Sequence, residues 1–182
     1  MARNKGGTRK RQGIRLIFPS TFSPTLNANN AYRAATQRFD DAESLFRAAG
    51  GNENHYTAVI YISGLAVECL LTAYVLKINP SAGIPTNHAI LELIKLSGFL
   101  DLAEAGDETE RLNAAVSRVV ARWRNEVRYF DDNAFIRAPS LLHKDPPSKF
   151  RGDLGKAKQD IARKVIAAAR VIRDIGGRKW KN

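Results

Sequence analysis

Arg137 and His143 stand with five residues between them in RAPSLLH. They form a possible catalytic pair, because an imidazole can carry protons near neutral pH. A second concentration of chemistry lies just upstream, where Arg118, Arg122, Arg124 and Arg128 make two i,i+4 pairs of like charge. Such pairs disfavour an isolated helix, so something must compensate them. Glu126 and nearby acids are one answer; a phosphate backbone or the carboxylates of a partner are the other. Tyr129 follows Arg128 and sets a stacking ring beside a guanidinium.

Glu68 is the remaining singular residue. It is the only charge in the nineteen residues from Ala58 to Leu76. A carboxylate there must be paired, hydrogen-bonded or protonated. The reading favoured here is structural, with His88 at a helix start after a loop as the natural partner. Cys69, the single cysteine, rules out an internal disulfide and reads as a buried apolar thiol. Only three histidines are present, none at ligand spacing from another or from Cys69, so neither a metal nor another cofactor is expected. There is no glycine-rich phosphate loop between a strand and a helix.

The elements that would position these groups are helices. Tyr32, Ala35, Phe39, Ala42, Phe46 and Ala49 recur at intervals of three and four, predicting a first helix from about Asn27 to AGGN. A second runs from near Asn52 to Lys77 and stops at Pro80. Its length would suit a membrane span, but a central carboxylate costs roughly 2.5–3.5 kcal/mol on insertion scales, which favours the core helix of a soluble domain. Thr86 or Asn87 can cap a short helix ending near Gly98, and a fourth is predicted from about Asp107 to Phe130. Prolines 139, 146 and 147 break the next stretch, and a last helix spans about Phe150 to Ile175. Its outer face carries Lys156, Arg163 and Arg170 at intervals of seven. No strand-like alternation of useful length occurs, so an all-α antiparallel bundle of four to five helices is the economical architecture.

Charge divides the chain in the same places. The net charge is +11, with six Lys/Arg and no acid in residues 1–15, and eleven basic residues against three Asp in 149–182. The body between is slightly acidic. Basic ends attract polyanions, whether RNA, DNA or an anionic surface. The expected organisation is a basic flexible leader over 1–26, a bundle over 27–176 and a basic tail over 177–182. MARNKGGTRKRQGIRL lacks the apolar segment of a signal peptide, so a cytoplasmic location is expected.

Taken together, GLAVECLLTAYVLK, the proline-containing loop, NHAILELIKLSGF and RYFDD resemble the HEPN superfamily, the higher-eukaryote and prokaryote nucleotide-binding domains. The resemblance covers roughly residues 30–175. It implies a HEPN-like bundle, a homodimer, and association with a nucleotidyltransferase or with toxin–antitoxin or defence systems. It also implies structural roles for Glu68 and His88. Catalytic members carry Arg-x(4–6)-His and cut RNA without a metal; here Arg128 has no such His after it, and Arg137–His143 has the spacing but is interrupted by Pro139. The expectation is therefore a non-catalytic protein that binds nucleic acid or a nucleotide through Arg124, Arg128, Tyr129, Lys156, Arg163 and Arg170. The alternatives are a metal-independent endoribonuclease toxin using Arg137 and His143, and a protein–protein interaction module.

Overall fold

The computed structural model describes residues 26–50, 53–85, 89–130 and 153–181. Five α-helices account for most of them: α1 (Ala28–Ala48), α2 (Glu53–Ile78), α3 (Ile90–Ser97), α4 (Asp107–Arg122) and α5 (Leu154–Trp180). Two 3-10 turns, Phe99–Leu102 and Asn125–Tyr129, follow α3 and α4. No strand occurs among the described residues, and the fold is an all-α bundle.

Local chemistry sets the helix ends. Asn27 caps α1 by accepting from the Asn30 N–H at 2.9 Å, and Asp153 caps α5 by accepting from the Lys156 N–H at 2.9 Å. Gly98 ends α3 at φ +56°, a left-handed conformation that glycine adopts without steric cost. Asp107, Glu108 and Glu110 place negative charge in the first turn of α4, opposite the positive end of its dipole.

Long-range contacts fix the directions of the helices. Phe46 near the end of α1 lies 6.1 Å from Tyr56 near the start of α2, while Tyr32 and Tyr74 meet Trp180 at the other end. Trp123 after α4 bonds back to Tyr61, and Glu108 at its start meets Arg178 near the end of α5. The four long helices therefore alternate in direction along the chain, with α2 and α5 parallel across the bundle.

α2 is the centre of the fold. It packs against α1, α3 and α5, and its 55–78 stretch is long and apolar enough to cross a membrane. Burial against its neighbours accounts for that composition: 72% of its apolar window is covered. Two apolar clusters result. The larger gathers Val67, Leu70, Leu71 and Tyr74 with Leu93, Phe99, Val119, Trp123 and Ile172. The smaller joins Val59, Ile60, Val127, Ile161 and Val165.

Several helix ends differ from the sequence reading: α3 begins at Ile90 after Ala89, the expected caps Thr86 and Asn87 lying outside the described residues, and α5 begins at Leu154, not near Phe150. α4 stops at Arg122, not near Phe130, because Trp123 turns extended (φ −102°, ψ 130°) to insert its ring beside Gly64. α5 continues through Gly176 and Gly177 to Trp180, so residues expected to be a tail belong to the bundle. Trp180 holds this end: it stacks on Tyr32 at 4.5 Å and meets the edge of Tyr74, and its carbonyl accepts from Lys77 Nζ at 3.1 Å.

Candidate nucleic-acid interface

The segment Trp123–Tyr129 is pinned from beneath at two points. Trp123 is 4% exposed and its indole Nε1–H donates to the Tyr61 carbonyl at 3.0 Å. Gly64 makes the room, since a Cβ there would fall 1.9 Å from the Trp123 ring. Val127 is fully buried in the smaller cluster. Between and beyond these anchors, Arg124, Glu126, Arg128 and Tyr129 face solvent. The 3-10 turn and the extended residue before it thus point two cations and a ring outward from a fixed base.

Tyr129 is 73% exposed, and the Arg128 guanidinium lies 4.6 Å from its ring centroid. That is cation–π distance, and it orders both side chains with respect to one another. Among the described residues, no carboxylate stands within ion-pair distance of Arg124 or Arg128. Arg118, on the exposed face of α4, shares that condition. Arg122, by contrast, points inward and is 7% exposed.

The basic stripe of α5 is differently placed. Lys156 pairs with Asp153 at 2.9 Å, Arg163 with Asp160, and Arg170 Nε with Glu43 at 2.9 Å. Every member of the stripe is paired with a carboxylate. Glu43 also takes Arg173 at 3.3 Å, so one acid on α1 ties down two guanidiniums of α5. The hydrogen bond from Arg170, aided by the fields of Arg170 and Arg173, outweighs burial and holds the Glu43 carboxyl below the usual range. Burial pushes the Asp160 carboxyl up, but hydrogen bonds from Lys164 and Arg163 more than offset it and leave it low as well.

Glu68 sits half-buried on α2 beside Cys69, at the edge of the core. Burial pushes the Cys69 thiol up, opposed by Arg38 and reinforced by Glu68, which makes it a poor nucleophile. Arg137, His143 and His88 lie outside the described residues. No group of three or more His, Cys, Asp or Glu among the described residues could hold a metal ion.

One further surface escaped sequence reasoning. Tyr32, Arg173, Asp174, Gly177, Arg178 and Lys181 line an open cleft where the start of α1 meets the end of α5. Arg173 and Arg178 are engaged by Glu43, Asp174 and Glu108 there. The signal in the sequence was Trp180, an aromatic stranded among basic residues that marks a docked helix end.

Comparison with protein-family models, curated proteins and solved structures yields no match to this chain. Its chemistry must be read from its own geometry.

Proposed function

We propose that this chain is a nucleic-acid-binding helical bundle whose contact surface is the 3-10 turn after α4, with Arg124 and Arg128 holding phosphates. The observation that carries this reading is that both guanidiniums are exposed on a turn anchored by Trp123 and Val127, with no carboxylate of the described residues to neutralise them. A planar guanidinium offers paired N–H donors that match phosphate oxygens, and an anchored base reduces the entropy lost on binding. The net charge of +11 adds long-range attraction to any polyanion. The resemblance to HEPN proteins agrees with such a role, and a homodimer would present the turn twice.

The test is a binding and cleavage assay with end-labelled RNA in EDTA, read in the same samples. Wild type should bind without cutting, and Arg124→Ala/Arg128→Ala should weaken binding roughly a hundredfold or more, since each lost charge-assisted contact is worth about 1.5–3 kcal/mol. Unchanged affinity in the double variant would remove the turn from the interface. RNA cleavage that disappears in His143→Ala would replace this reading with that of a metal-independent endoribonuclease.

A further inference from the structure

The turn carries one group that phosphate binding does not need. Tyr129 is the most exposed large hydrophobic side chain of the described residues, at 73%, although the turn could have carried any polar residue there. Leaving an aromatic ring in water is unfavourable, and among the described residues Tyr129 belongs to neither apolar cluster. Arg128 lies over the ring at 4.6 Å. A ring held in this way has its orientation fixed by a guanidinium and its remaining surface open to a flat partner.

Flat partners that also satisfy the neighbouring cations are nucleobases on a phosphate backbone. The bases of a duplex are stacked on both faces and show only their edges in the grooves, so an exposed ring has nothing to stack on. An unpaired strand offers every base face. Arg124, in extended conformation just before the 3-10 turn, and Arg128 within it place two exposed cations next to the ring, where the phosphates of such a strand would run.

Resting on the nucleic-acid reading above, we infer that Tyr129 is a base-stacking residue that makes this surface selective for unpaired strands, with Arg128 positioning the ring and Arg124 and Arg128 holding the strand's phosphates. Stacking is sequence-tolerant, since every base has a π-face, so the surface discriminates strandedness and not sequence.

The experiment measures binding by fluorescence anisotropy at one fixed salt concentration. The probes are a labelled 12-nucleotide single-stranded RNA, the same RNA annealed to its complement, and an abasic strand of equal length. Wild type should prefer the single strand to the duplex by about tenfold or more. Tyr129→Ala should remove most of that preference, with a loss on the single strand of roughly five- to a hundredfold, the range seen for one base stack. It should leave binding to the duplex and to the abasic strand unchanged; Tyr129→Phe should retain single-strand binding. Because Tyr129 is exposed, the variants should keep the helical circular dichroism of wild type. Equal affinity of wild type for single strand and duplex overturns the inference, as does a Tyr129→Ala loss that is the same on the abasic strand. Failure of wild type to bind any of the three probes overturns the nucleic-acid reading itself, which separates the two failures.

Discussion

At the scale of single residues, Gly64 decides where the turn sits. A methyl group at this position would lie 1.9–2.3 Å from three atoms of the Trp123 indole, which no side-chain rotation of alanine can relieve. The glycine costs α2 about 1 kcal/mol of helix propensity relative to alanine. Gly64→Ala should nevertheless destabilise the fold by about 2 kcal/mol, the overpacking cost being larger than the propensity gained. A urea titration followed at 222 nm reads this as a lower midpoint. In a Trp123→Ala background the clash is gone, so there the same substitution should be neutral or stabilising. Additive losses in the double variant would refute the slot. Since Trp123 anchors the turn, Gly64→Ala should also weaken RNA binding in protein that remains folded.

Between elements, Glu43 couples α1 to α5 by holding Arg170 and Arg173. The hydrogen bond from Arg170 is the chief reason its carboxyl is depressed. A carboxyl with a folded pKa below its unfolded value binds protons more weakly in the native state. Its contribution is therefore present above the unfolded value, near 4.5, and is lost as pH falls through the folded value. Glu43→Gln should cost about 1 kcal/mol at pH 7, a modest figure because Arg170 is nearly half exposed. The cost should shrink below pH 4, as wild type protonates. A difference between the two proteins that is flat from pH 7 to pH 3 would show that the carboxylate charge is not what joins the helices.

The same pairings explain how far the sequence could be read. Most of the helices were legible because each buries one apolar stripe whose period survives in the sequence, and α2 was legible by its unbroken apolar run, which neighbours cover on several sides. The end of α4 was not, since Trp123 and Val127 keep a four-residue spacing across the break while entering two different clusters. The last helix was expected to end at about Ile175, yet α5 runs on through Gly176 and Gly177. A Cβ at Gly176 would come within 3.0–3.1 Å of Leu70 and Phe99, so the glycine permits close helix contact there. The neighbouring Arg128 and Tyr129 were visible as a unit. Which arginines meet a carboxylate was not visible, because the acid that holds Arg170 lies 127 residues away.

For the whole molecule, the question is how much of the net charge of +11 contributes to binding. Cations already paired within the bundle must surrender a carboxylate to take a phosphate, and so release fewer counterions in net terms than unpaired ones. Among the described residues, Lys156 and Arg163 belong to the first class, and Arg124 and Arg128 to the second. The dependence of log K on log salt separates them, since each phosphate contact on a single strand contributes a slope of about −0.7. Arg124→Ala/Arg128→Ala should make the slope shallower by about 1.4. Lys156→Ala/Arg163→Ala removes the same formal charge and should change the slope by less than half as much. If the two double variants shift it equally, binding follows total charge alone, and the anchored turn has no special place in it. If the α5 variant shifts it more, the strand lies along α5, and Asp153 and Asp160 give up their partners on binding.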